Sequence, residues 1–267
     1  MHDEPQPQRW TTTNLVGLPP GLVGSGAFQA HPQPLRIGGA RASSPGLFAL
    51  LDRAGDVVEA RELFAHFMTL AFGLGEAPAP ARRRASYLKL LQGWGLDANG
   101  AAGAVLKGWV ESRFGIVPVF HKAPLGRFPS PAWMAYLEDK SAPRWCNNNV
   151  FQQLDLLFEF CQWRLARWPW APAEGRHVTL WRGTTQAQDQ VVAGTLRARR
   201  CTVRLNNVVS FSLSPDHASC FGDWVLRARV PLSKLLFVPR LLATRSLEGE
   251  GEVLAIGGDY AVEARHG

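Results

Sequence analysis

The hydrophobic period of this chain changes once, near Pro172, and that change limits the folds open to it. Before it, apolar residues recur at three- and four-residue steps. Val57, Val58, Leu63, Phe64, Phe67, Met68 and Leu70 form a broad helical stripe that Asp56 can cap. Leu47, Leu50 and Leu51 suit a short helix. Tyr87, Leu88, Leu90 and Leu91 suit another, after a break at Pro78 and Pro80. Asn147-Asn148-Asn149 opens the clearest helix, in which Val150, Leu154, Leu157, Phe158, Cys161 and Leu165 share a face; Pro169 ends it. After Pro172 the alternation becomes period two. Short strands are expected at Val178–Arg182, Val208–Ser212, Trp224–Val230, Leu235–Val238, Val253–Ile256 and Tyr260–Val262. Such a string of strands does not read as βαβ units. The expected class is α+β, with a mainly helical N-terminal half packed on a C-terminal β-sandwich.

Residues 1–45 are rich in Pro, Gly, Gln and Thr, yet carry Trp10, Leu15, Leu18, Leu22 and Phe28. They read as an irregular leader wrapped over the core. The expected organisation is therefore a leader over 1–45, a helical region over 46–172 and a β-rich core over 173–267. The N-terminus has neither a basic flank nor an apolar core segment, so no secretory signal is expected. No apolar run is long enough for a bilayer, and a cytoplasmic protein is expected.

A formal charge of +7 favours an anionic partner. The basic residues are scattered, and the tight run Arg82-Arg83-Arg84 reads as a solvated helix face. No nucleic-acid-binding signature appears, so nucleic acid is not an expected partner. Cys146, Cys161, Cys201 and Cys220 form no CxxC pair. No metal site is expected, and each thiol reads as a small buried hydrophobe.

Three features in the β-rich half carry chemistry. Leu180-Trp181-Arg182-Gly183-Thr184 places an arginine in a strand-like pattern, where it needs an anion; its planar fork suits phosphate oxygens. Ser210 and Ser212 share one face of a strand while Phe211 points the other way. Their hydroxyls can hold a carboxylate without filling a cleft. Glu250 and Glu252 follow Glu248 in an alternation that runs straight into apolar Val253-Leu254-Ala255-Ile256. Two carboxylates on one strand face repel each other, so a cationic or cation-developing ligand is the expected occupant. Gly249 and Gly251 leave room for it.

Arginine, then Ser-x-Ser, then Glu-x-Glu, in this order, resembles the arginine–serine–glutamate class of mono-ADP-ribosyltransferases. Pro215-Asp216-His217-Ala218-Ser219-Cys220-Phe221-Gly222 resembles the segment that follows the serine motif there. Three N-terminal segments extend the likeness to nearly the whole chain: Thr12–Pro20, His31–Leu35 and Gly46–Asp52 are similar to the dinitrogenase reductase ADP-ribosyltransferase family. That resemblance implies an ADP-ribosyltransferase-type core, NAD as co-substrate, and an arginine of dinitrogenase reductase, the nitrogenase iron protein, as target. It also admits a PII-type signal protein as regulator, although no residue marks its site.

The roles it implies are specific. Arg182, with Gly183, contacts the pyrophosphate or adjoining ribose. Ser210 orients Glu252, and Ser212 shapes the strand. Glu252 faces the sugar carbon as nicotinamide leaves and stabilises the charge that develops there. Glu250 receives the target guanidinium and accepts a proton from it. Glu248 sits at the rim. Phe211 and Phe221 are the candidates to lie against nicotinamide. Phe211 stands where many members have Thr. His217 reads as a surface or capping residue, and Asn147–Asn149 as a helix cap. The competing readings are the same chemistry on another protein, and a nucleotide-binding regulatory module without turnover. Two crowded acids argue against the latter, because a pure binder gains nothing from them.

Overall fold

The computed structural model describes residues 9–74, 85–147, 149–170, 172–185, 187–243 and 251–266. In chain order the first helices are α1 (Pro20–Val23), α2 (Gly26–Ala30), α3 (Pro45–Leu51), α4 (Val57–Phe72), α5 (Tyr87–Leu96) and α6 (Ala101–Phe114). The small hairpin β1 (Phe120–His121) and β2 (Ala123–Pro124) precedes α7 (Pro131–Lys140) and α8 (Val150–Arg167). Then come β3 (Ala173–Glu174), β4 (His177–Thr184), α9 (Ala187–Gln190), β5 (Val191–Gly194) and β6 (Arg200–Ser212). The chain continues through α10 (Pro215–Ser219), β7 (Trp224–Pro231), β8 (Leu235–Phe237) and β9 (Glu252–His266). The class is α+β: helices dominate the N-terminal half, and an antiparallel sheet of seven strands occupies the C-terminal half.

The chain forms two compact units. One holds the described residues up to Pro20 with Ile37–Leu157; the other holds Gly21–Arg36 with Phe158 onward. In the first, caps set the helix starts. Asp56 accepts from the Glu59 amide at 2.9 Å and opens α4, while Ser86 and Ser130 do the same for α5 and α7. Gly73 and Gly115 end α4 and α6 in the left-handed conformation. Helix α6 is buried on every side, from Ala102 to Val110, so it carries no apolar stripe to betray it. Ala104, Val117, Leu125, Trp133 and Tyr136 form a core cluster around it.

Lys107 lies inside this core. Its ammonium donates to Asn99 Oδ1 at 3.0 Å and to the Phe120 carbonyl at 3.1 Å, and lies 3.4 Å from His121 Nδ1. An ammonium has no lone pair, so Nδ1 is the unprotonated nitrogen and Nε2–H donates to Asp139 at 2.8 Å. Burial pulls the Lys107 pKa down to about 8 against the opposing pull of Asp97.

In the second unit the sheet order is β3-β4-β7-β9-β6-β5, with β8 on β9 and a further contact of β4 with β6. The pairings β4–β7–β9–β6–β4 therefore close on themselves. Helix α2 is fixed to this sheet by Gln29, whose side chain donates to the carbonyls of Arg229 (3.1 Å) and Ala261 (3.2 Å) and accepts from the Ala261 amide (2.7 Å). Thus part of the expected leader is a structural piece of the sheet unit. Cys161 and Cys201 are buried and Cys146 is half-buried, but Cys220 is exposed, contrary to its expectation. Burial pushes the Cys161 thiol up to about 12. No helix among the described residues is long and apolar enough to cross a membrane.

Gln29→Ala leaves backbone groups of β7 and β9 without partners. It is expected to destabilise the chain by about 2 kcal/mol, read from the shift of the urea unfolding midpoint. Lys107 gives a pH test. Folded, it sheds its proton above about pH 8; unfolded, it does so only near 10.5. In that window the unfolded chain holds more protons, so stability rises with pH. The unaltered chain should gain unfolding free energy relative to Lys107→Met between pH 8 and 10.

Candidate active site in the C-terminal sheet

Three strands bring the three sequence motifs to one place. Trp181 of β4 pairs with Ser212 of β6, and Ser212 pairs with Glu252 of β9. Arg182 is the next residue along β4. Its Nη1 donates to the Ser210 carbonyl at 2.9 Å, and its buried Nε has no hydrogen-bond partner among the described residues. Burial draws the Arg182 pKa below the ordinary arginine value, and the nearby Glu252 carboxylate opposes that shift. Arginine keeps its charge at neutral pH regardless. A buried N–H without an acceptor costs about 1–3 kcal/mol, so Arg182 is poised to meet an anionic oxygen. The pyrophosphate of a dinucleotide fits that requirement.

Ser212 is buried directly across from Glu252, and its hydroxyl accepts from the Ser214 amide at 3.1 Å. Ser210 lies one pleat further on the same face, opposite Leu254. Its approach to Glu252 is therefore diagonal, whereas that of Ser212 is direct. Glu252 is half-buried at the first position of β9, immediately after Gly251, whose φ of 67° is left-handed. Val253–Ile256 behind it are buried, so this carboxylate stands at the mouth of a core strand. Glu250 and Glu248 lie outside the described residues.

The short helix α10 closes one flank. Ser214 caps it by accepting from the His217 amide. A Cβ on Gly183 would sit 1.8 Å from the Ala218 carbonyl oxygen, and one on Gly222 would sit 2.3 Å from the Thr184 carbonyl carbon. Both glycines thus let α10 and its following turn press against the end of β4. Gly183 faces α10 there. The turn carries Phe221, which is 60% exposed and lies 5.5 Å from the His217 ring. Phe211 points away from the serine face and packs edge-on against buried Tyr260 at 6.0 Å.

Some neighbours of the site carry no sequence signal strong enough to single them out. Trp181 meets Ser212 only because β4 pairs with β6 in the ladder at that one position. Leu213 lies 3.9 Å from the Cβ position of Gly251. Gly222 ends the segment that follows the serine motif, and nothing in the sequence marks its packing contact with β4. In the other unit, Asn147 donates to the Ala85 carbonyl and accepts from the Asn149 amide, so both serve the local backbone. Asn148 lies outside the described residues. A cleft of about 470 Å³ lined by His31, Arg176, His177 and Arg229 sits at the opposite end of β4 and contains none of the three motifs. Among the described residues, no group of three His, Cys, Asp or Glu is placed to hold a metal ion.

A family model described as dinitrogenase reductase ADP-ribosyltransferase (DRAT) matches residues 13–264. Over 272 residues, 98% of each chain, the protein is 45% identical to the NAD(+)–dinitrogen-reductase ADP-D-ribosyltransferase of Rhodospirillum rubrum. No solved structure matches. With a match that spans both units and the arginine, serine and glutamate strands meeting in one, the chain belongs to the dinitrogenase reductase ADP-ribosyltransferase family.

Proposed function

We propose that this protein moves ADP-ribose from NAD to an arginine of dinitrogenase reductase in the cytoplasm, and so switches nitrogenase off. The observation that carries this reading is family likeness along almost the whole chain, joined to the meeting of Arg182, Ser212 and Glu252 on adjacent strands.

NAD supplies the ADP-ribosyl group and, in nicotinamide, a leaving group that already bears positive charge. No side chain has to protonate it. Arg182 binds the anionic part through its orphan Nε, with Gly183 beside it. Glu252 is held on the ladder by Ser212 and approached diagonally by Ser210. A fixed carboxylate beside the sugar carbon stabilises the positive charge that develops as the bond to nicotinamide breaks. Phe221, exposed on the turn after α10, is assigned the nicotinamide face. Phe211 is left to the core against Tyr260.

The acceptor is a guanidinium, which is a poor nucleophile while protonated. Glu250 orients it and takes the proton released as the new carbon–nitrogen bond forms. Glu248 would meet the protein surface at the rim. The balance is simple: one carbon–nitrogen bond breaks, one forms, and one proton passes to a carboxylate.

The test is mass spectrometry of purified dinitrogenase reductase after incubation with this protein and NAD. One added ADP-ribose on an arginine is expected. An unmodified target, with NAD bound but intact, would make the protein a nucleotide-binding module instead. Glu252→Gln should lower transfer by about a hundredfold or more while leaving NAD affinity within about threefold. Glu250→Ala should cut arginine modification far more than NAD hydrolysis. Equal loss of both activities contradicts the role given to Glu250.

A further inference from the structure

We propose that Lys234 is a positioning residue for the transfer reaction: its buried ammonium holds the bend in β9 that presents Glu252. The inference rests on the catalytic role given to Glu252 above.

The bend is a β-bulge. Leu205 pairs with Gly258 and Val208 with Ile256, so Asn206 and Asn207 of β6 oppose Gly257 alone. Gly258 has a φ of 107°, and a Cβ on Gly257 would lie 1.6 Å from the Asn206 carbonyl oxygen. On one side of this point β9 pairs with β8 through Ala255 and Leu254; on the other it pairs with β7 from Val262 onward. The bulge thus separates the stretch carrying Glu252 from the rest of the strand.

Lys234 reaches that point from a 3-10 turn, Leu232–Lys234, between β7 and β8. Gln162 fixes the turn by donating to the carbonyls of Leu232 at 3.1 Å and Leu235 at 2.9 Å. From this base Lys234 Nζ donates to the Gly257 carbonyl at 2.9 Å. The ammonium also lies 4.7 Å from the Tyr260 ring centroid and 5.8 Å from that of Phe28. Tyr260 in turn donates to the Ile256 carbonyl at 2.6 Å and packs on Phe211, the residue between the two serines. One amine therefore touches the Glu252 strand directly and the serine strand through one ring.

Nothing about packing alone calls for a charge here. Lys234 is completely buried. Among the described residues, the charged and titratable groups around it are few. Asp259 and Tyr260 belong to β9, and both oxygens of Asp259 are engaged by Arg204 of β6 at 2.6 and 2.7 Å. Helix α2 presents Phe28 and helix α8 presents Gln162, both uncharged. A methionine would fill the same space without the desolvation of an ammonium. What it cannot do is donate to Gly257.

Burial pulls the Lys234 pKa down to about 7, with Asp259 opposing. The folded protein therefore loses this charge near neutral pH. A charged donor binds a carbonyl more strongly than a neutral one, so the grip on Gly257 weakens as pH rises through that point. The contribution to turnover is therefore full well below pH 7, half lost near it and absent well above it.

The experiment uses the full chain and measures NAD turnover and NAD binding from pH 6 to 9. Lys234→Met should lower kcat by about tenfold at pH 6.5, leave NAD affinity within about threefold, and remove the decline of kcat centred near pH 7. Because this variant can fail to fold, a second arm uses the unaltered protein with labelled lysine. The Lys234 signal should titrate near pH 7, and the backbone amides of Glu252–Ile256 should shift with the same midpoint. Static amides, or a folded Lys234→Met with unchanged kcat and pH profile, would overturn the proposal while leaving the transferase reading intact. An unaltered protein that turns over no NAD at any pH would refute that reading and this proposal together.

Discussion

The C-terminal unit depends on one local conflict in its sheet: two residues of β6, Asn206 and Asn207, face one residue of β9, Gly257. A regular ladder would keep β9 between the same two neighbours along its length. The bulge instead lets its first stretch lie beside β8 and its second beside β7. The Asn206 carbonyl occupies the space of a side chain at Gly257, and Gly24 occupies that at Gly258, so only glycine serves at either point. Gly24 also accepts the Asp259 amide at 2.8 Å, which ties the segment before α2 to the same bend. Everything placed at Glu252 is measured from this joint.

Charge at the site follows from that placement. Arg182 and Glu252 sit near each other without a direct hydrogen bond between them being needed to fix either one. Arg182 is fixed by the Ser210 carbonyl, and Glu252 by its rung opposite Ser212. Under the proposed function, each keeps capacity for a ligand. A closed ion pair would have satisfied both groups and left little to bind substrate with. The Arg182 Nε, without a hydrogen-bond partner among the described residues, is the clearest mark of this arrangement.

The strong periodic helices were legible in the sequence: α4 with its Asp56 cap, α3, and α8 after the asparagines form where the apolar steps place them, although Leu50, Val58 and Leu70 of the expected stripes are exposed. Helix α6 was not, because burial on every side erases the stripe that periodicity detects. The strands near Val208–Ser212 and Val253–Ile256 were legible, but their extent was not. Gly257-Gly258 reads as a break in a sequence, whereas here it is a bulge within one continuous strand, Glu252–His266. Helix α2 was hidden for another reason. Its hold on the sheet comes from one polar side chain, Gln29, and no hydrophobic pattern announces that. At the site, strand order made the three motifs visible as a set. The register did not follow from sequence, and it is the register that sets Ser212 rather than Ser210 directly across from Glu252.

The two buried lysines show how partners separate a structural charge from one with consequences elsewhere. Lys107 donates to two oxygens and lies beside an imidazole nitrogen whose far side is held by Asp139. These acceptors come from the turn before α6 and from the β1 hairpin. Among the described residues, Lys234 has one acceptor, a backbone carbonyl at a bulge, and two aromatic faces. Burial draws both pKa values down, to about 8 for Lys107 and about 7 for Lys234, and one aspartate opposes the shift in each case. The sparse partnering of Lys234 concentrates its effect. Whatever free energy the Lys234 proton carries is expressed at Gly257, five residues along the strand from Glu252.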